Sequence, residues 1–298
     1  MLARPEEAGL EADLTGPMEG GRLTLIKGDT SDLALVNRLA READAMVHFG
    51  ARSDRDTSVL RLPSLVQSEV DGTLLLLEAA RQYRHQRFLY VGSYAVYGEV
   101  PEGCKREGDA LAPQSVAGAS QAAAEHLVRA YHMSLGLPTV VTRGSDTYGP
   151  YQLSDETVPL FITNALQGLS LPIEGEGVAI RDYLYVDDHA AAIAMALMHG
   201  PPGSVYNVGS GCEASVLEIA ERVLQLCDRP GFLKHFVEGE RAAGSRRAIS
   251  TRAIRSLGWV PQHSLDDGVE LAVNWYAQHQ EWWYERRPDR LATLFANR

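Results

Sequence analysis

Ser93 and Tyr94 set a hydroxyl beside a phenol just after Phe88-Leu-Tyr-Val91, a short apolar run that ends at Gly92. Such a run fits a strand buried on both faces of a parallel sheet, and chemistry in open α/β sheets gathers at the carboxyl ends of those strands. The two groups could do acid–base work, although buried tyrosines usually just find a hydrogen-bond partner. Arg181, Arg241 and Arg247 carry guanidinium forks that match phosphate oxygens in pairs, so they are candidates to grip a diphosphate. For Arg246, Arg247, Arg252 and Arg255 taken together, the competing reading is surface charge. His48 lies inside the apolar run 45–50 and reads as a packed strand histidine rather than a catalytic one. Gly209-Ser-Gly211-Cys-Glu-Ala214 formally fits the dinucleotide pattern Gly-x-Gly-x-x-Ala. No acidic partner follows about 20 residues later at a strand end, so it reads as a tight strand-to-helix turn.

Positioning these groups calls for alternating strands and helices. Buried strands are expected at 22–26, 45–50, 88–91 and 137–142, with helical patterns at 31–43, 65–83 and 120–135. The last helix gathers Ala123, Leu127, Tyr131 and Leu135 on one stripe, suited either to a core face or to self-association. Ser215-x-x-Glu218 reads as a capping box, with Val216, Ile219, Val223 and Leu226 behind it. Residues 1–21 are rich in Glu, Gly and Pro and read as a loosely ordered leader without the apolar core of a secretory signal. A chain of 298 residues accommodates one large α/β domain or a domain with a smaller lobe. Its net charge of −11 argues against nucleic acid or an anionic membrane as the main partner. No apolar stretch approaches the ~18–20 residues of a membrane span. Cys104, Cys212 and Cys227 are odd in number and lack Cys-x-x-Cys spacing, which suits reduced thiols in a cytoplasmic protein and suggests no metal.

Several segments together carry a resemblance. They are Gly28-Asp29, Gly72-Thr73 with Leu74 to Ala80, Ser93-Tyr-Ala-Val-Tyr-Gly98 and Arg143-Gly-Ser-Asp-Thr-Tyr-Gly-Pro150. Arg181-Asp-Tyr-Leu-Tyr-Val-Asp-Asp-His189, Tyr206-Asn-Val-Gly209 and Trp275-Tyr-Ala-Gln-His-Gln-Glu-Trp-Trp283 extend it toward the C-terminus. The chain resembles the extended short-chain dehydrogenases/reductases, NAD-dependent sugar-nucleotide epimerases and dehydratases, and within them the dTDP-glucose 4,6-dehydratase branch. The resemblance implies an α/β fold with a Rossmann-like parallel sheet over 22–150, N-terminally incomplete, and a smaller C-terminal substrate lobe over 151–298. It implies that Asp29 approaches the adenine of NAD. It also implies that Asp146, Arg181, Asn207, Arg241 and Arg247 face a nucleoside diphosphate sugar. Helices 65–83 and 120–135 pair with their copies in the dimers of this family.

Departures from the family pattern are equally specific. Asp146 replaces an Asn, Glu69 replaces another, and Gly50-Ala51-Arg52 stands where Ala-Ala-Glu is usual. The Tyr-x-x-x-Lys pair falls on Ala117 and Gln121, which cannot transfer a proton usefully at neutral pH. No other register restores it. The chain has only Lys27, Lys105 and Lys234, preceded four residues earlier by Leu23, Pro101 and Pro230. The dehydratase branch also needs an Asp and a Glu, where Tyr94 and Ala95 stand. A Gly-x-x-Gly-x-x-Gly turn with its flanking strands and helix should precede Gly28. The expectation is therefore a degenerate member that binds NAD weakly or not at all. It would bind a sugar nucleotide, or support an active relative in a homodimer or heterodimer. Two alternatives stand beside it: an enzyme rebuilt around Ser93, Tyr94 and Asp146, or a start placed too late to include the cofactor turn. With two neighbours missing, strand 22–26 should shift, detach, or pair with another chain.

Overall fold

The computed structural model describes residues 1–3, 13–50, 62–238 and 245–286. In chain order these form β1 (Leu2–Ala3), α1 (Thr15–Glu19), β2 (Ile26–Lys27), α2 (Leu33–Arg41), β3 (Ala45–Phe49), α3 (Leu62–Gln82) and β4 (Arg87–Ser93). Then come a 3₁₀ turn (Tyr94–Tyr97), α4 (Val116–Leu135), β5 (Thr139–Gly144), β6 (Asp146–Tyr148), α5 (Thr157–Gln167), β7 (Leu171–Glu174) and β8 (Ile180–Tyr185). The chain continues with α6 (Val186–His199), β9 (Ser204–Val208), β10 (Glu213–Ser215), α7 (Val216–Leu226) and β11 (Lys234–Val237). It closes with α8 (Arg252–Ser256), α9 (Leu265–Gln278) and α10 (Gln280–Glu285). The fold is α/β and Rossmann-like: the main sheet runs β3-β4-β5-β9, with β3 and β4 parallel in the register Ala45↔Arg87 to Phe49↔Val91.

The chain divides into two compact units. The first comprises 1–92, 115–141 and 201–204, and the second 93–114, 142–200 and 205–298. In the first unit Phe88, Leu89 and Tyr90 of β4 are fully buried, as an apolar run in a parallel sheet requires. Leu77 and Ala80 of α3 and Val128 of α4 complete that core. His48 is half-buried on β3, its Nε2 lying 3.1 Å from the Thr73 hydroxyl, in keeping with a packed strand histidine.

Two expectations need correcting here. Strand 22–26 is only Ile26–Lys27, and it forms no ladder with β3; it lies in a separate two-stranded parallel sheet with Leu2–Ala3. It is therefore detached from the main sheet, as one outcome anticipated, but its partner comes from the segment expected to be a loose leader. Residues 4–12 of that segment lie outside the described residues. Helix α4 starts at Val116, four residues before the expected start at 120, because Ser115 caps it by accepting from the Gly118 N–H. Gln121, Glu125 and Val128 are buried, while Ala123 and Leu135 are exposed and Leu127 and Tyr131 half-buried.

The second unit packs α5, α7 and α9 around β6, β7 and β8. Phe161, Ile162, Leu171, Ile173, Ile219 and Val269 are buried at its centre. β8 pairs antiparallel with β10 and parallel with β6, while β7 pairs with β11. The capping box of α7 forms as read, with Ser215 and Glu218 exchanging both bonds. No helix among the described residues is long and apolar enough to cross a membrane.

Candidate functional site

The second unit assembles the candidate site at the end of β4. Ser93 Oγ accepts from the Ala95 N–H at 3.1 Å and so caps the 3₁₀ turn that buries Tyr94 and Tyr97. Gly98 closes the turn at φ 70°, with the space for a Cβ only 2.3 Å from the Ala112 carbonyl oxygen. Tyr94 is 2% exposed, with its phenol set against the Asp146 side chain. Burial pushes this phenol far above its ordinary pKa and the Asp146 carboxylate adds to the rise, against the pull of Arg181 and Arg247. At neutral pH Tyr94 is therefore a donor and cannot serve as a base.

Arg247 lies with its guanidinium 5.7 Å from the Tyr94 ring centroid, and its Nε is buried without a partner. The nearby Arg181 is 4% exposed and already engaged: it donates to the Ile180 and Ser245 carbonyls and to Ser245 Oγ, at 2.7 to 3.0 Å. Its Nε stands 3.9 Å from Asp146, whose side chain is 43% exposed. The fork expected to grip a diphosphate thus holds the chain's own Ser245. Asn207 is likewise occupied: it accepts from Tyr97 Oη at 2.8 Å and donates to the Lys105 carbonyl at 3.1 Å. Arg143 donates to Tyr97 Oη and to the Glu107 carbonyl, so this wall is a closed network. Arg241 lies outside the described residues.

The remaining sequence candidates sit in the first unit. Asp29 is half-buried and accepts from the Ser31 N–H at 2.8 Å. Ala117 stands half-buried in the first turn of α4, and Gln121 one turn later is 5% exposed with Oε1 unpartnered.

Residues 3–209 match the NAD dependent epimerase/dehydratase family. The chain is 38% identical over 263 residues to a dTDP-glucose 4,6-dehydratase of Actinoplanes sp., an alignment covering 88% of this chain and 82% of that one. It is 37% identical to the low-salt glycan biosynthesis protein Agl12 of Haloferax volcanii, covering 92% and 88%. Among solved structures, DesIV, a dTDP-glucose 4,6-dehydratase of Streptomyces venezuelae with NAD bound, superposes with a TM-score of 0.91 at 34% identity, covering 95% and 88%. This chain belongs to the NAD-dependent epimerase/dehydratase family.

In this family member two aspartates that sequence reasoning passed over, and Arg246, for which surface charge was the competing reading, shape the second unit. Asp182 is buried and accepts from Ser210 N, Ser210 Oγ, Gly211 N and Ser145 Oγ, at 2.8 to 3.3 Å. Burial raises its pKa, and those donors oppose the rise. The Gly209–Ala214 turn is thereby tethered to a protein carboxylate, which leaves its Ser210 and Gly211 amides engaged; a Cβ on Gly209 would sit 2.5 Å from Asp182 Oδ2. Asp188 accepts from the Gln262 and His263 backbone amides and from His263 Nδ1, at 2.9 to 3.1 Å. Arg246 clasps Glu213 through Nε and one terminal nitrogen and the Val100 and Gly103 carbonyls through the other. The signal for both aspartates was present, since they belong to the Arg181–His189 segment, but the segment does not reveal their partners.

Proposed function

We propose that this chain binds a nucleoside diphosphate sugar and does not itself turn it over through NAD. The observation that carries the reading is Gln121. A buried neutral amide occupies the position of the family's lysine, and Ala117 that of its tyrosine. The residues present do not fit NAD well. None of the three lysines can form the Tyr-x-x-x-Lys pair. The Gly-x-Gly turn that does occur has its Ser210 and Gly211 N–H groups on Asp182 rather than open to a phosphate. Tyr94 in place of an Asp leaves the site without a base there, because its phenol stays protonated. This weakens the reading in which chemistry is rebuilt on Ser93 and Tyr94.

Under this proposal Asp146 and Arg247 face the sugar nucleotide. Arg181 orders Asp146 and Ser245 behind them, and Asn207 braces the wall through Tyr97. The outward residues Ala123 and Leu135, with Leu127 and Tyr131 beside them, offer a face on α4 for self-association or for an active relative. The direct test is calorimetric titration of the chain with dTDP-glucose, UDP-glucose and NAD, with an assay for a 4-keto-6-deoxy product. Binding of a sugar nucleotide without NAD binding or product supports the proposal. Micromolar NAD binding with turnover overturns it.

A further inference from the structure

Arg246 is the chain neighbour of Arg247, and its guanidinium is committed entirely to the protein's own groups. Nε and one terminal nitrogen hold the two Glu213 oxygens of β10 at 2.6 and 2.7 Å. The other terminal nitrogen donates to the Val100 carbonyl at 3.0 Å and to the Gly103 carbonyl at 2.7 Å. The Val100 N–H returns a bond to the Arg246 carbonyl at 2.8 Å. Val100 lies just beyond the Tyr94–Tyr97 turn. One side chain thus ties the segment bearing Arg247 to the segment bearing Tyr94 and to β10. The side chains of Arg246 and Glu213 are only 20% and 34% exposed, so water weakens the clamp less than it would a surface pair. A planar fork can grip a carboxylate with two nitrogens and reach two carbonyls with the third, a geometry that an ammonium lacks. Arg247, by contrast, is held through its backbone, whose N–H donates to the Ile180 carbonyl at 3.2 Å, and its Nε has no partner. Its guanidinium lies 5.7 Å from the Tyr94 ring centroid.

We propose that Arg246 is a positioning residue for sugar-nucleotide binding. It does not touch the ligand; it sets Arg247 against Tyr94, so that the Arg247 fork is presented to the sugar nucleotide already ordered. With the clamp gone, binding has to order the 245–247 segment and the long Arg247 side chain, and that cost comes out of the affinity. The carbonyl bonds matter more than the ion pair, because they join the two segments that carry Arg247 and Tyr94. The inference rests on the sugar-nucleotide reading above and adds the device that holds its arginine.

The experiment is a double-mutant cycle read by titration calorimetry with dTDP-glucose and UDP-glucose. Arg246→Gln should weaken binding of the sugar nucleotide roughly tenfold, about the worth of one hydrogen bond to a charged group. Glu213→Gln keeps an acceptor and leaves the carbonyl bonds in place, so it should cost less than about threefold. In an Arg247→Gln background the Arg246→Gln penalty should fall within about twofold, because the residue it positions is no longer there. Arg247→Lys serves as the second background if Arg247→Gln binds too weakly to titrate. Arg246→Lys, which cannot span the carboxylate and both carbonyls, replaces Arg246→Gln should that variant not fold. An equal penalty in both backgrounds, or none in either, overturns the inference and leaves the sugar-nucleotide reading standing. No binding of either sugar nucleotide by the unaltered chain overturns both.

Discussion

At the scale of single residues, the proposed function rests on Ala117 and Gln121 standing at the positions of the family's Tyr-x-x-x-Lys pair. Restoring that pair should not restore the reaction. Ala117→Tyr with Gln121→Lys returns groups that typically contribute ~10²–10⁴-fold, but the nicotinamide supplies the hydride chemistry, and under the proposed function this chain does not use it. The double variant, assayed with dTDP-glucose and NAD, is expected to form no product; turnover above background would show that the cofactor site is intact. Asn207, expected at the ligand, also has a structural part, since it holds Tyr97 and the Lys105 carbonyl. Asn207→Ala leaves Tyr97 Oη and the Lys105 carbonyl without this partner. The loss should be about 1–3 kcal/mol for a buried group left unsatisfied, read from the midpoint of urea unfolding. An unchanged midpoint would mean the network is dispensable.

At the scale of elements, short polar links set where helices begin and how distant segments are held. Ser115 fixes the start of α4, and Ser115→Ala should lower stability by about 0.5–2 kcal/mol. Asp188 at the start of α6 draws residues 262 and 263 toward it, just ahead of α9. Replacing it with Ala removes a carboxylate that accepts two backbone amides, so about 1.5–3 kcal/mol per charged hydrogen bond is at stake. Hydrogen exchange would report this directly: the Gln262 and His263 amides should lose protection in Asp188→Ala. If they stay protected, the anchor lies elsewhere.

At the scale of the whole molecule, one buried histidine should leave a mark on the pH dependence of folding. His189 packs beneath Gly144, where a Cβ would come within 2.6 Å of its ring, and its Nδ1 lies 2.7 Å from the Thr147 hydroxyl. Burial lowers its pKa to about 4, against 6.5 for the unperturbed group. The native state therefore keeps it neutral, while the unfolded state takes up a proton as the pH falls below about 6.5. Its contribution is complete above that value and is lost progressively down to about pH 4, for a total of about 3 kcal/mol. Unfolding free energies at pH 7 and pH 4.5 should differ more for the wild type than for His189→Gln; identical differences would remove His189 from the account.

The sequence by itself determined the family and the class of fold. Apolar runs such as 88–91 specify buried parallel strands, the Ser215–Glu218 box specifies a helix start, and the missing Tyr-x-x-x-Lys can be counted in every register. These are local patterns, fixed by neighbours a few residues apart. Which polar groups remain available to a ligand was decided only in three dimensions. The partner of Arg181 stands 64 residues away at Ser245, that of Asn207 110 residues away at Tyr97, and that of Asp182 at Ser210 and Gly211. Spacing cannot reveal such pairings, because hydrogen bonding depends on where the folded chain returns. The same holds for α4, whose period allowed several stripes, and for Ile26–Lys27, which paired with Leu2–Ala3 rather than with the main sheet. Periodicity says that a face exists, and only packing says which face is covered.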